Sequence, residues 1–429
     1  MRGARPTILE VSPYRAPEKF SNRQLAADLE AAFVAAGYAV ADHVPTPSRG
    51  LSREERRAAG KGRQEALHGG AVSVERFPMF PEGANPVQRA ARYLLAGIAQ
   101  YRRASKELGA DVIFSASTPP TQGLLCGRLK KRLGIPFVYN LQDVFPDSLV
   151  NAGLAREGSL LWKIGSWVER RTYESADAII VASEGMRGNL LSKGVPESKV
   201  TYVPNWVDTE AVRPVPPGEN RLARELGLDP GASHVVYGGN LGESQNVGIV
   251  ADVAKAFLGD ARVDFVVFGD GPKRDLLLSR VEGEGLANLR VLPMRPPSEV
   301  AEVYSLALAA LVPCKRGVGG AGFPSKTWSI LATGTPVLAS YDSDSDLTRL
   351  LEGESLGLCS EAGDVEGLCA NVERLLSERG LADAMGARAR RYAEENLSKE
   401  RCTAAYVAVI EKAIQNGARC GAERDQPND

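Results

Sequence analysis

Three glycine-containing turns follow apolar runs and carry residue types suited to holding phosphate. They are Tyr237-Gly-Gly-Asn-Leu241, Val266-Val-Phe-Gly-Asp-Gly-Pro-Lys273, and the stretch 317–322 with Phe323-Pro-Ser-Lys326. Glycine lets a backbone approach a ligand closely, a following helix presents N–H groups to an anion, and lysine adds a point charge. Together they predict a nucleotide diphosphate site formed by Gly239, Asn240, Gly269, Asp270, Gly271, Lys273, Pro324, Ser325 and Lys326.

Each turn alone has a simpler interpretation. Gly269–Gly271 is compatible with a plain tight turn, and Ser325-Lys326 with a capped helix that carries a solvated lysine. The prediction therefore depends on the three turns occurring in one half of the chain.

Gln142 and Asp143 form a second candidate site, because they stand directly after the apolar run Phe137–Leu141. Neither side chain suits a buried strand, and both could hydrogen-bond sugar hydroxyls. Asp143 is also the candidate general base. A turn capped by Asp143 before Pro146 is the alternative.

The stretch Asp342-Ser-Asp-Ser-Asp346 contains the Asp-x-Asp pattern that can bind Mg²⁺ or Mn²⁺. Asp and Ser are also the usual residues of a turn and a helix N-cap, and this interpretation is favoured here. We therefore predict no bound metal and no cofactor.

The elements that must position these residues are strands alternating with helices, which predicts parallel α/β architecture. Predicted strands of the first series are 7–12, 38–40, 112–114, 137–141, 178–181 and 200–203, and those of the second are 234–237, 263–268, 289–292, 309–312 and 336–339. Between the two series lies the breaker-rich Pro214–Gly218. Two doubly wound, Rossmann-like domains that face each other across a cleft are expected, with ligands beyond the carboxyl ends of the strands.

The composition excludes several classes of protein. The 429 residues carry a net charge of -1, which argues against a uniformly basic nucleic-acid binder. No signal peptide and no membrane-spanning run are expected, so the predicted location is the cytoplasm. The segment Leu160–Val168 has apolar residues at helical spacing with basic neighbours, so it is either an ordinary packed helix or a helix at the inner surface of the plasma membrane. Arg49–Gly70 is expected to be an exposed loop or a surface helix.

The order of these motifs resembles that of the family 4 retaining glycosyltransferases of the GT-B fold, over roughly residues 7–410. The segments that carry the resemblance are Ser12-Pro-Tyr14 with Pro17-Glu18, Leu141–Pro146, Ser175–Asp177 with Ala182-Ser183, Pro204–Asp208, Gly239–Leu241, Gly269–Pro272, and Pro324–Lys326 through Pro336. The bacterial branch that builds O-antigen, capsule and related glycans is the most similar.

This resemblance implies transfer, with retention, from a UDP-sugar, commonly of an N-acetylated amino sugar, to a glycan, lipid-linked or small acceptor. It implies an acceptor domain at 1–207, a donor domain at 208–398, a helix at 399–414 that crosses back to the first domain, and a flexible tail at 415–429. It also adds Gln245 and Ser329 to the donor site and Glu18 and Ser21 to the acceptor side.

The chain departs from the family pattern at the donor site. Many relatives have two glutamates where Ala321 and Ser329 stand, and an Arg and a Lys where Asn240 and Gln245 stand. Lys273 and Lys326 are therefore expected to supply the positive charge. Ala321 and Ser329 leave open a non-catalytic nucleotide-binding partner as one alternative. The other is a nucleotide-sugar isomerase or hydrolase such as a 2-epimerase, which shares the two-domain fold.

Overall fold

The computed structural model describes residues 5–20, 22–59, 64–83, 85–151, 155–229, 232–378 and 380–424. The chain divides into two compact units, Met1–Pro204 with Cys402–Asp429, and Asn205–Arg401. Both units are layered α/β structures with a central, largely parallel sheet. None of the described helices is long and apolar enough to cross a membrane.

The sheet of the first unit has eight strands in the order β3-β4-β2-β1-β5-β6-β7-β8. They are β1 (Thr7–Glu10), β2 (Ala39–Pro45), β3 (Gln64–Leu67), β4 (Val72–Phe77), β5 (Val112–Ala116), β6 (Phe137–Leu141), β7 (Ala178–Val181) and β8 (Val200–Tyr202). All neighbours pair in parallel except β3, which runs antiparallel to β4 at the edge. The central strands are continuous apolar runs because helices cover both of their faces.

The helices of the first unit are α1 (Arg23–Ala35), α2 (Arg53–Ala59), α3 (Pro86–Ala104), α4 (Gln122–Leu133), α5 (Asp147–Asn151), α6 (Leu160–Ser175) and α7 (Glu184–Ser192). Helix α4 packs between α3 and α6. Gly123 and Gly127 of α4 lie directly against Thr172 and Ser175 of α6, where a Cβ atom would collide with either side chain. The glycines therefore allow these two helices to pack closely.

The sheet of the second unit has six parallel strands in the order β11-β10-β9-β12-β13-β14. They are β9 (Ser233–Asn240), β10 (Val263–Asp270), β11 (Leu289–Leu292), β12 (Ala307–Pro313), β13 (Val337–Ser340) and β14 (Gly357–Ser360). The helices that follow the first unit in the chain are α8 (Arg221–Leu226), α9 (Ile249–Ala256), α10 (Arg274–Gly283), α11 (Val300–Ser305), α12 (Lys326–Ala332), α13 (Asp346–Gly353), α14 (Val365–Ser377), α15 (Leu381–Asn396) and α16 (Lys399–Arg424).

The observed elements differ from the predicted ones in three places. Arg49–Gly70, predicted as a loop or surface helix, contains α2 and the strand β3, whose exposed side chains give no apolar signal. Strands β4 and β14 were not predicted. Helix α16 continues through residues 415–424, which the pattern assigned to a tail.

Candidate functional site

The first two glycine turns lie side by side at the carboxyl edge of the second sheet. Strands β9 and β10 are parallel neighbours in a register that pairs Gly239 with Gly269 and Asn240 with Asp270. The turns are also joined directly, because the N–H of Leu241 donates to the carbonyl oxygen of Asp270 over 2.8 Å. Two motifs separated in sequence thus form one continuous stretch of backbone at the edge.

Glycine is required where the two turns touch. Gly271 has a φ of 141°, and a Cβ atom there would lie 2.7 Å from Oδ1 of Asn240. A Cβ atom on Gly269 would lie 2.7 Å from the carbonyl oxygen of Gly239. Any side chain at either position would separate the turns, because contacts below 3.0 Å are essentially absent from real Cβ atoms.

The third turn, the glycine-rich loop after β12, is held by Asp342. Its Oδ1 atom accepts from the N–H of Gly317 at 2.9 Å, and its Oδ2 atom accepts from the N–H of Gly319 at 2.7 Å. Ser345 caps α13 by accepting from the N–H of Thr348. The Asp-x-Asp segment thus contains the predicted turn and N-cap.

Lys326 connects the third turn to the first. It is the first residue of α12, and its Nζ atom lies 3.9 Å from the centroid of the Tyr237 ring. A Cβ atom on Gly239 would lie 3.1 Å from the same Nζ. Lys326 thus links the third turn to the first, and the first turn is joined to the second through the pairing of β9 with β10.

The Nζ atom of Lys326 is buried and has no hydrogen-bond partner among the described residues. Burial lowers the pKa of this lysine from its ordinary value of 10.5 to about 7. An ammonium group without a partner in such a place is costly, and a bound anion would offset the cost. The face of the Tyr237 ring gives only a weaker cation–π attraction.

Lys273 lies at the same edge in a different environment. Its Nζ atom pairs with Oε1 of Glu243 at 2.8 Å, and the Nζ atom of Lys315 approaches Oε2 of the same glutamate at 3.3 Å. Hydrogen bonds from the two lysines lower the pKa of the Glu243 carboxyl, that from Lys273 most. The group is exposed, so it contributes a screened net positive charge rather than a desolvated one.

Asn240 and Gln245 flank the first turn. A Cβ atom on Gly242 would lie 2.6 Å from Oε1 of Gln245 and 2.8 Å from Nδ2 of Asn240. The Oε1 atom of Gln245 is buried without a partner among the described residues, which leaves an acceptor at the site.

The remaining donor-side residues lie on or just before α12. The carbonyl oxygen of Pro324 accepts from the N–H of Thr327, and Ser325 begins the helix without a side-chain capping bond. Ser329 follows one turn later and is half-buried, and the side chain of Ala321 lies outside the described part. In the described residues no group of three or more His, Cys, Asp or Glu side chains is arranged to hold a metal ion.

Gln142 belongs to a polar network in the first unit. Its Nε2 atom donates to Oδ1 of Asn140 at 2.9 Å and to the hydroxyl of Tyr406 at 3.4 Å, and its N–H donates to Oγ of Ser117. The buried Tyr406, on α16, also donates to Asn140 Oδ1 at 3.1 Å. The last helix therefore fixes the side chain that follows β6.

Asp143, next to this network, lies at the surface of the unit. Surrounding protein atoms partly desolvate its carboxyl and raise the pKa, while a hydrogen bond from Ser148 acts in the opposite direction. A raised carboxyl pKa is the direction that a general base requires.

The two acceptor-side residues implied by the resemblance are placed differently. Glu18 has no exposed surface, and its carboxylate accepts from the backbone N–H groups of Arg15, Ser48 and Arg49. The structure thus shows Glu18 organising the loops after β1 and β2, while its contact with an acceptor stays a prediction. Ser21 lies outside the described residues.

Two family models cover most of the chain. The "Glycosyl transferase 4-like domain" matches residues 23–206, and "Glycosyl transferases group 1" matches residues 219–392. The chain belongs to the family 4 glycosyltransferases. Its predicted GT-B fold is confirmed by solved structures, among them sucrose-phosphate synthase from Thermosynechococcus elongatus, with a TM-score of 0.74 at 17% identity over 96% of this chain and 100% of that one.

Curated relatives of this glycosyltransferase are bacterial. WcaI of Escherichia coli (strain K12), a glycosyl transferase whose name assigns it to colanic acid biosynthesis, is 27% identical over 66% of this chain and 69% of its own length. WbjE of Pseudomonas aeruginosa, named as a glycosyltransferase, is 24% identical over 66% and 72%. HepE of Anabaena, solved with UDP and glucose, has a TM-score of 0.67 at 14% identity over 95% of this chain and 100% of its own.

Three residues of this glycosyltransferase that contact the site residues were missed by sequence reasoning. Tyr237 is recognisable only as a strand residue, Asp342 as part of a turn, and Tyr406 as one apolar position of a helix. The one available signal was that Asp342 stands just after a strand and just before a turn, where a carboxylate often accepts backbone N–H groups.

Proposed function

We propose that this glycosyltransferase moves a hexosyl or N-acetylhexosaminyl group from a UDP-sugar to a glycan, lipid-linked or small-molecule acceptor, with retention of configuration and without a metal. The observation that carries the proposal is the buried, unpartnered Nζ atom of Lys326 between the glycine turns. The second unit would bind the donor and the first unit the acceptor.

Lys326 is suited to the diphosphate because no residue in the described part of the chain gives its ammonium group a counter-charge. A fixed cation aimed at the leaving diphosphate stabilises the charge that grows in the transition state, and such electrostatic stabilisation supplies much of the rate enhancement of many enzymes. The exposed Lys273, Lys315 and Glu243 cluster carries one net positive charge at the same edge. These cations can stabilise the negative charge of the leaving diphosphate in place of a metal ion.

The uridine and the sugar are supported by analogy alone. HepE is described with UDP and glucose, and a trehalose-6-phosphate enzyme from E. coli with UDP-2-fluoro glucose. Retention follows from the family resemblance, in which the donor's own phosphate guides the acceptor to the face that the leaving group occupied. On the acceptor side, Gln142 and Asp143 are the proposed contacts, with Asp143 as the candidate base.

The test is a UDP-release assay with and without acceptor, combined with thermal-shift measurements. A ligand at about 100 times its Kd adds about 2.7 kcal/mol of stability. We expect UDP or a UDP-sugar to raise the unfolding midpoint equally with and without EDTA, and UDP release to need an acceptor glycan. Donor turnover without acceptor would identify a hydrolase or isomerase instead, and binding without turnover under any acceptor would identify a non-catalytic partner.

A further inference from the structure

Most of the large apolar side chains that are exposed in the described part of the chain lie on two helices of the first unit. They are Val87, Leu94, Leu95 and Ile98 on α3, and Leu160, Leu161, Ile164 and Trp167 on α6, each between 45% and 76% exposed. Singly exposed apolar residues are ordinary, but each of these helices carries a patch of four, and an exposed apolar patch marks a surface that another body covers. We call this set the apolar crest.

The crest is not the core-facing side of either helix. The buried residues of α6 are Gly165, Val168, Glu169, Thr172 and Tyr173, which form a face centred about a third of a turn away from the exposed apolar one. Helix α6 does pack against the unit through these residues, but of the large apolar residues in Leu160–Val168 only Val168 is buried, so most of the apolar face is left exposed.

The two halves of the crest belong to one layer. Helix α4 packs against both α3 and α6, so the three helices lie side by side on the sheet. The outer side of α4 presents Arg128, Lys131 and Arg132. The layer therefore alternates an apolar helix, a basic helix and an apolar helix.

Basic side chains outnumber acidic ones in this layer, whose one exposed carboxylate in the described part, Glu174 on α6, pairs with Arg171. Neither α3 nor α4 contains an aspartate or a glutamate. On α6, Glu169 is buried against Tyr173 and Lys193, while Lys163 and Arg170 are exposed and form no ion pair in the described part of the chain. In a protein whose net charge is -1, this is a strong local excess of positive charge.

A groove of about 790 Å³ runs along α6, between this helix and the segment 193–199. Its lining includes Trp162, Trp167, Lys163 and Arg170, and also two carboxylates, Glu169 and Glu174, that are paired with Lys193 and Arg171. Tryptophan beside lysine and arginine is the combination enriched where a protein meets the headgroup region of a bilayer. The groove is thus suited to a phosphate headgroup with the start of its acyl chains.

We propose that the crest and its flanking cations dock the protein onto the surface of an anionic phospholipid bilayer. Apolar side chains would enter the boundary between headgroups and acyl chains, and the cations would lie at the level of the lipid phosphates. A second copy of this chain is less suited, because the like charges of the two layers would face each other. This inference is independent of the donor site and goes beyond the proposed reaction.

The test is co-sedimentation of the full chain with vesicles of phosphatidylcholine alone and of phosphatidylcholine with phosphatidylserine. We expect binding to the anionic vesicles, release at high salt, and an affinity at least about tenfold lower for Leu161→Glu/Ile164→Glu. Leu276→Glu is the matched control, because Leu276 on α10 is 54% exposed and Ile164 is 52% exposed. Lys163→Glu/Arg170→Glu should weaken binding and flatten its salt dependence.

Three outcomes would overturn the proposal: no binding of the wild type to anionic vesicles, an equal loss in Leu276→Glu, or a dimer without vesicles that Leu161→Glu/Ile164→Glu dissociates. The thermal response of every variant to UDP is measured in the same samples. An unchanged response shows that the variants are folded and separates failure of the docking proposal from failure of the donor-site proposal.

Discussion

The Nζ atom of Lys326 lies 3.9 Å from the centroid of the Tyr237 ring, buried, with no hydrogen-bond acceptor among the described residues. A lysine in this position destabilises the empty protein, since its charge is desolvated without a counter-charge. The same lysine is ready for an anion, because no existing ion pair must be broken when a diphosphate binds.

Lys326→Met should separate these two effects. The substitution keeps an unbranched side chain in the same space but removes the charge, so we expect an unfolding midpoint at least as high as that of the wild type. UDP affinity should fall by between about tenfold and about a hundredfold, the equivalent of a charge-assisted hydrogen bond of about 1.5–3 kcal/mol. Isothermal titration calorimetry and thermal unfolding measure both.

Lys255→Met is the control for that substitution. Lys255 is an exposed lysine of the same unit, paired with Glu284 at 3.0 Å, and its loss should change neither UDP affinity nor stability appreciably. Unchanged UDP affinity in Lys326→Met would mean that the diphosphate binds elsewhere.

Donor binding should weaken as the pH rises through about 7. Only the ammonium form of Lys326 is attracted to a diphosphate, and its pKa in the empty protein is about 7. Binding should therefore take up a proton, and the Kd should rise by up to about tenfold per pH unit above this value, until the pKa in the complex is reached. Calorimetry with a UDP-sugar, in buffers of different ionisation enthalpy, measures this uptake, and Lys326→Met should abolish it.

The stability of the empty protein should show the opposite trend. Between about pH 7 and pH 10.5, Lys326 is protonated in the unfolded protein but not in the folded one. The free energy of unfolding therefore rises with pH across this window. The stability advantage of Lys326→Met should thus be largest below pH 7 and disappear towards pH 10.5. A constant difference across the window would show that Lys326 remains charged when buried.

Asp143→Asn should lower transfer and leave donor binding intact. The partly desolvated carboxyl stands beside the network of Gln142, Asn140 and Tyr406 in the first unit, and the donor turns lie in the second. Loss of a general base costs about 10²–10⁴-fold in rate. Steady-state rates and UDP affinity check this, and abolished UDP binding would contradict the assignment of the acceptor to the first unit.

Asp342→Asn should loosen the glycine-rich loop. It replaces an acceptor of the Gly317 and Gly319 N–H groups by an amide with only one acceptor oxygen, at a cost of about 1–3 kcal/mol. We expect a lower unfolding midpoint and weaker UDP-sugar binding, both unaffected by EDTA or added Mg²⁺.

Asp344→Asn separates this explanation from metal binding. Asp344 is the other acid of the Asp-x-Asp pair, yet only its backbone carbonyl has a described partner, Arg349. This variant should behave as the wild type. Equal losses in both variants, dependent on Mg²⁺, would instead indicate a metal site.

Gly271→Ala should disrupt the joined turns. The φ of 141° disfavours alanine, and the added Cβ atom would lie 2.7 Å from Asn240 Oδ1, so we expect a loss of about 1–3 kcal/mol of stability and weaker UDP binding. Gly283→Ala is the control, since in the described part of the chain no atom beyond its neighbours and its own helix backbone lies within 4 Å of a Cβ atom there. Equal unfolding midpoints and UDP affinities in the two variants would contradict the requirement for glycine at position 271.

The sequence by itself determined the α/β class and the three phosphate-suited turns, because apolar runs, glycines and helix starts are local patterns. It also predicted Lys326 as a site residue, with a capped helix that carries a solvated lysine as the alternative. Strand β3 escaped prediction because an exposed edge strand has no buried face and therefore no apolar alternation.

Only the tertiary structure decided which turns meet. The strand order β10-β9-β12 places Gly269 beside Gly239 and brings the loop after β12 to the same edge, and this order depends on long-range packing. Burial of the Lys326 Nζ atom against Tyr237 likewise depends on a contact between residues far apart in sequence. The apolar crest was ambiguous for the same reason, since helical spacing shows that residues share a face but not whether protein or solvent covers it.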